Sequence, residues 1–253
     1  MEIDPKILQN IYKHECWEFE EKIDIGIILE QSWMFNELIK KFKNGKLLYC
    51  FSIDKDIYLL EKNGKKYLFV HSNGASIVAC RIEEMVKWGS KKIYRIGTCG
   101  SLQKNINVGD IVLSFAAIKD EGTSKQYLST EFPSVINYPN LFVELEKKLR
   151  NNGLYIHTGL TWTTDGRFVE SNQKILFFSE QNVKSVDMET SAFLTVCWYK
   201  KVPGLSLSVV TDKPIMDIDK EFKGEIQNLS EIKEITCKHL VDIINTIINI
   251  EII

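Results

Sequence analysis

The chain has 253 residues, within reach of a single α/β domain, and its 44% hydrophobic and 26% charged residues suit a packed, water-soluble core. A formal net charge of −2 excludes an electrostatic case for nucleic acid or an anionic membrane, so an anionic small substrate would need a local cationic patch. The six cysteines form no CxxC pair or other zinc spacing, no apolar run approaches the roughly 20 residues of a membrane span, and "MEIDPKILQN" lacks the apolar centre of a leader; a reduced cytoplasmic protein without a metal site is expected.

In chain order, short β-rich apolar runs alternate with longer helical patterns. The run 25–29 (IGIIL) reads as a buried strand, followed by a helix at 32–43. Strands are expected at 47–51 (LLYCF) and 67–71 (YLFVH), then a helix at 75–88. Runs at 92–97 (KIYRIG) and 110–118 (DIVLSFAAI) precede a helix at 139–151. Runs at 155–162 (YIHTGLTW) and 183–187 (VKSVD) precede a helix at 189–200, and 205–211 (LSLSVVT) is the last strand. A final helix at 230–249 carries Ile232, Ile235, Leu240, Ile243, Ile244 and Ile247 at near-helical spacing, a stripe suited to packing on a sheet. The alternation, with no repeat, linker or low-complexity tract, implies one α/β domain over 1–253. Its central sheet should be mixed, largely parallel and flanked by helices. Ligands of such sheets sit beyond the carboxyl ends of the strands.

Four stretches fall at such ends. "RIGTCGS" (95–101) brings Arg95, the Thr98 hydroxyl and glycines that let backbone N–H groups face an anion or carbonyl oxygen; a tight strand exit is the plainer alternative. "TWTTDGRFVES" (161–171) ends a strand in polar residues and places Phe168 where an aromatic ring could stack on a flat ligand, or simply anchor a loop. "SVDMETSA" (185–192) sets Asp187 and Glu189 about Met188, a ribose clamp of carboxylates and soft apolar surface, or acids favoured at a helix start. "SVVTDKP" (208–214) delivers Asp212 to the end of an apolar strand, where desolvation would favour its protonated form for general-acid work; a turn or capping role is the alternative.

Together with "VGDIVLSFAAIKDEGTS", these motifs in this order resemble the nucleoside phosphorylase family of hexameric purine nucleoside phosphorylases, uridine phosphorylases and nucleosidases, from about residue 20 to the last helix. The resemblance implies a nucleoside phosphorylase-like fold and cleavage of the N-glycosidic bond of a purine nucleoside. Phosphorolysis to free base and ribose 1-phosphate is the first expectation, with inorganic phosphate as co-substrate and no other cofactor. Arg95 and Thr98 look like its phosphate ligands, with Gly97, Cys99 and Gly100 shaping the strand end beside base and phosphate. Met188 and Glu189 look like the ribose contacts, Asp187 and Phe168 like base contacts, and Asp212 like the residue that hydrogen-bonds or protonates N7 of a leaving purine. His14 falls where relatives place a histidine that reaches a neighbouring subunit's ribose, which implies a homo-oligomer, a dimeric unit or a hexamer.

Departures from the pattern keep other readings open. The phosphate-loop Gly and Arg positions after the first strand hold Glu30 and Met34, so phosphate would need other cations such as Lys55, Arg167 or Lys213. Hydrolysis, as in AMP nucleosidases, is the main rival. Uridine phosphorylase fits less well because "VESNQKI" lacks the pyrimidine-reading Arg and because that branch lacks the Asp found here at 212. A nucleoside-binding protein without turnover is a third class.

Overall fold

A computed structural model describes residues 22–48, 57–218 and 229–250. β1 (Ile25–Leu29) is buried along its whole length and leads into α1 (Ser32–Lys41). β2 (Lys46–Leu48), β3 (Ile57–Lys62) and β4 (Lys65–His71) run antiparallel to their sequence neighbours. The tight β3–β4 hairpin turns on Asn63 and Gly64, both at positive φ (55° and 72°), the pair that a two-residue loop demands. α2 (Ala75–Lys87) returns the chain to β5 (Lys92–Ser101), which is followed by β6 (Ile111–Asp120), a short α3 (Ser124–Tyr127), β7 (Ser134–Val135) and α4 (Pro139–Asn151). β8 (Ile156–Thr164), α5 (Asn172–Glu180), β9 (Ser185–Asp187), α6 (Thr190–Tyr199), β10 (Gly204–Asp212), α7 (Pro214–Asp217) and α8 (Leu229–Ile250) complete the described chain.

The sheet is mixed and flanked by helices. β5 is its hub: it lies parallel to β1 over Lys92–Ile96 and to β10 over Ile93–Gly100, and its last residues, Gly100 and Ser101, pair antiparallel with β9. β10 pairs with β6, β6 with β8 and β8 with β9, so β5, β10, β6, β8 and β9 close into a ring. β1, β4, β3 and β2 extend from β5 as an open sheet. On one face, Leu240, Ile243, Ile244, Ile247 and Ile248 of α8 pack with Leu205, Leu207 and Val209 of β10. On the other, α2 and α6 bury Val78, Ile82, Met85, Phe193 and Val196. α6 is apolar all round, and every residue from Thr190 to Cys197 is buried, as expected of a helix inside the core.

Most sequence-expected elements are present, with these corrections. "RIGTCGS" is no strand exit, because β5 continues through it to Ser101. The strand expected at 47–51 is seen as Lys46–Leu48, its remainder lying outside the described residues. β3, α3, β7, α5 and α7 have no counterpart among the elements expected from the sequence. No helix among the described residues is long and apolar enough to cross a membrane.

Candidate active site

Strand ends from both parts of the sheet meet at one pocket. Glu30 and Gln31 follow β1, Asn73 follows β4, and Thr98 and Gly100 lie in β5. Arg167, Phe168 and Glu170 follow β8, Met188 and Glu189 follow β9, and Thr211 and Asp212 end β10. This is the carboxyl edge at which sheets of this kind bind ligands.

The floor of the pocket is a buried ion cluster. The Arg95 side chain is completely buried. Its Nη1 lies 3.2 Å from Asp187 Oδ2 and donates to the hydroxyls of Thr190, Ser206 and Ser208 at 3.3, 3.1 and 3.0 Å. Its Nη2 donates to Glu30 Oε2 at 2.8 Å and to Glu189 Oε2 at 2.5 Å. Burial alone would lower the guanidinium's pKa, but Asp187, Glu189 and Glu30 outweigh it and raise the value, so Arg95 stays charged. Glu30 is held by further donors: the Thr98 N–H reaches Oε2 at 2.8 Å, and the Thr98 hydroxyl and Gln31 Nε2 both reach Oε1 at 2.7 Å. A Cβ on Gly97 would stand 2.2 Å from Glu30 Oε2 and 2.7 Å from Arg95 Nη2, so this ion pair requires glycine at 97. That close approach accounts for the first glycine of "RIGTCGS". A Cβ on Gly100, the second, would meet Pro214 at 2.8 Å and Asp212 Oδ2 at 3.2 Å.

Glu189 carries the largest consequence for pH. Burial and the neighbouring Glu30 push its carboxyl up to about 8, against the pull of Arg95. With the folded value raised above the ordinary 4.5, ionisation costs the native state nothing below that pH, and the penalty grows as pH rises to about 8. The thermal midpoint is therefore expected to fall through that window, and Glu189→Gln should flatten the slope. Identical slopes in the two proteins would refute the assignment.

The cluster gathers several sequence-expected residues and reassigns others. Thr98, Cys99, Gly100, Phe168, Asp187, Met188, Glu189 and Asp212 all line the one pocket. Arg95 and Thr98, expected to hold phosphate, direct donors at the Glu30 carboxylate. Asp187 was expected at the base, but its carboxylate turns inward to Thr163, Thr190 and Arg95, where it secures the start of α6 and one side of the guanidinium. Cys99 also lines the pocket; its side chain packs with Ile106, Val112 and Val210, and burial pushes its thiol well up, so it stays protonated. Phe168 stands at the pocket rim but is 96% exposed, with the Arg167 guanidinium 5.8 Å above its ring. Asp212 is exposed at the end of β10, so the water-poor setting expected for it is not found; its Oδ1 accepts from the Thr211 hydroxyl at 3.0 Å. Met34, at the expected Arg position, is a core residue with no exposed surface. Lys213 donates to the Lys104 carbonyl at 2.8 Å, whereas Arg167 lines the pocket. His14 and Lys55 lie outside the described residues.

The sequence model of the Phosphorylase superfamily matches residues 24–245, which takes in every strand described above. The chain belongs to this family. Among curated relatives it is 36% identical to a guanosine phosphorylase of Halorubrum lacusprofundi over 118 residues, 47% of this chain and 48% of that one. It is 28% identical to a DeoD-type purine nucleoside phosphorylase of Buchnera aphidicola subsp. Schizaphis graminum over 60% of this chain and 64% of the relative. A uridine phosphorylase of Haemophilus influenzae is also 28% identical, over 49% and 59%. The match thus spans about half to two thirds of these relatives' length. A crystal structure of uridine phosphorylase from Vibrio fischeri ES114, complexed with 6-hydroxy-1-naphthoic acid, superposes with a TM-score of 0.77 over 91% of this chain and 93% of that one at 18% identity, a likeness of fold.

Gln31, Asn73 and Glu170 are polar pocket residues that the sequence did not single out. Gln31 and Asn73 have no motif signal beyond following a strand. Glu170 lies in a quoted stretch, yet its role needed the fold: half-buried beside Asp212, it has its carboxyl raised by burial and by that neighbour.

Proposed function

We propose that this member of the family cleaves the N-glycosidic bond of a purine nucleoside. The observation that carries the reading is the pairing, across one pocket, of a carboxyl suited to ribose hydroxyls, Glu189, with a carboxyl suited to a purine N7, Asp212. Glu189 Oε1 accepts from the Gly74 N–H at 2.7 Å and Oε2 from Arg95, which leaves each oxygen a lone pair for a ribose hydroxyl. The bond breaks through a cationic, oxocarbenium-like ribose; the buried carboxylates below can stabilise that charge, and an acid above the base makes it a better leaving group. The names of the guanosine and purine nucleoside phosphorylase relatives support a purine, and the uridine phosphorylase relative keeps the pyrimidine reading as the comparison. A homo-oligomer in the cytoplasm, with His14 shared between subunits, is part of the same proposal; an active monomer by sedimentation would refute the sharing.

The test is release of free base from adenosine, inosine, guanosine and uridine. Purine release exceeding uracil release supports the reading, and the reverse order overturns the purine assignment. Glu189→Ala removes the carboxyl's hydrogen bonds to the ribose hydroxyls, each worth about 0.5–1.5 kcal/mol, so ribonucleoside binding should weaken about tenfold. A 2′-deoxynucleoside should lose less. Equal losses for the two sugars would remove Glu189 from the ribose.

A further inference from the structure

The acids of the pocket differ in how far their bonding capacity is already used. Glu30, Asp187 and Glu189 are tied to Arg95, and Asp212 accepts from the Thr211 hydroxyl. Glu170 lines the same pocket but makes no hydrogen bond or ion pair among the described residues. Lys174, in the first turn of α5, is held by Asp120 Oδ2 at 2.7 Å. Within the loop, Arg167, Phe168 and Val169 are exposed, whereas Glu170 is partly buried. Its backbone is fixed on both sides: the Val169 N–H closes a turn on the Gly166 carbonyl at 3.0 Å, and Ser171 caps α5. Burial and Asp212 raise its carboxyl and Arg167 lowers it, so the two acids stand close enough to feel each other's charge. An unspent carboxyl therefore sits beside the one that faces the leaving base.

We propose that Glu170 reads the substituent at position 6 of the purine and selects an amino group there, so that the substrates are 6-aminopurine rather than 6-oxopurine nucleosides. The inference rests on the glycosidic-bond reading above and narrows its substrate class. N7 and the 6-substituent are neighbours on one edge of a purine, so two carboxyls side by side can meet both at once. N7 is an acceptor and takes the proton of Asp212. Glu170 is then left as a carboxylate, an acceptor alone, and the N–H of a 6-amino group satisfies it. Two acids in contact favour holding one proton between them, which is the donor and acceptor pair this edge requires. Arg167 balances the charge that remains on Glu170. A 6-oxo group sets a second acceptor against the carboxylate. Glu170 would then exchange its water for a repulsive contact, or the pair would have to carry two protons.

The experiment compares kcat/KM for base release from adenosine and inosine in wild type, Glu170→Gln and Glu170→Ala. Wild type should favour adenosine by at least about tenfold. The Gln amide can accept from an amino group and donate to an oxo group. Glu170→Gln should therefore shrink the adenosine-to-inosine ratio about tenfold, chiefly by raising inosine. Glu170→Ala should shrink the ratio as well, chiefly by lowering adenosine. A purely structural loss would lower both substrates alike and leave the ratio where it was. Wild type that cleaves inosine as readily as adenosine, or a ratio that Glu170→Gln leaves unchanged, would overturn the inference while glycosidic cleavage stands. Absence of base release from any nucleoside would overturn the glycosidic reading, and calorimetric titration with free bases then judges Glu170 on its own. Wild type should bind adenine more tightly than purine, and purine more tightly than hypoxanthine, with the order flattened in Glu170→Gln. Hypoxanthine bound by wild type as tightly as adenine would refute the assignment.

Discussion

Asp212→Asn is expected to leave nucleoside affinity nearly intact while turnover of adenosine or inosine falls about 10²–10⁴-fold, the usual value of a positioned general acid. An amide can still hydrogen-bond N7 but cannot deliver a proton, and the departing purine would then carry a full negative charge. Asp212 is exposed in the open pocket, so the desolvation that favours a protonated carboxyl has to come from the bound base and from residues closing over it. Phe168, 96% exposed at the rim, is one apolar group available to do so. A nitrophenyl riboside, whose leaving group needs no proton, should be much less affected. Equal slowing of both substrates would show that Asp212 acts otherwise than as the acid. Glu170 would be the next residue to test, since it lines the same pocket with its carboxyl raised.

Arg95→Met carries the largest expected effect on stability. The substitution fills a similar volume but strips three carboxylates of their shared cation in a fully buried setting. Removing one partner of a buried ion pair typically costs about 3–5 kcal/mol, a large share of a domain's stability. The urea midpoint should fall accordingly, or the protein should fail to accumulate. Neutralising two of the three acids as well, in Arg95→Met with Glu30→Gln and Glu189→Gln, should recover part of the loss, because fewer buried charges are then left without a partner. If the triple variant is no more stable than Arg95→Met alone, the cost lies in packing and the electrostatic account fails.

Much of the architecture was readable from apolar periodicity. β1, α2, β6, α4 and α8 fall close to their expected positions because each has a clean period and definite ends. The misses have local causes. β3 has the apolar run "IYLL", and the Asn-Gly that turns it into β4 was the signal overlooked. α5 carries "ILFF" without a clear stripe, and its N-cap is a single Ser171 whose hydroxyl accepts from the Lys174 N–H at 3.3 Å. β7 is two residues long. At the site, residue types were readable but their directions were not. Glu30 drew notice only as an odd substitution; that its carboxylate lands on Arg95, 65 positions away, depends on the parallel register of β1 with β5 and on Gly97 beneath it. Cys99 and Asp187 turn inward by the same logic, since a strand residue's face follows from pairing rather than from its neighbours in sequence.

The ring of β5, β10, β6, β8 and β9 has no free edge, and the strand ends that carry Thr98, Asp187 and Asp212 belong to it. Glu30 and the Gly74 N–H instead arrive from β1 and β4, in the open extension. The two parts therefore differ in how freely they can drift over evolutionary time. A change in the ring disturbs neighbours on both sides of every strand, which holds its strand ends in place. A change just beyond β1 disturbs few pairings, so the stretch of pocket wall that Glu30 forms can vary while the ring keeps its shape.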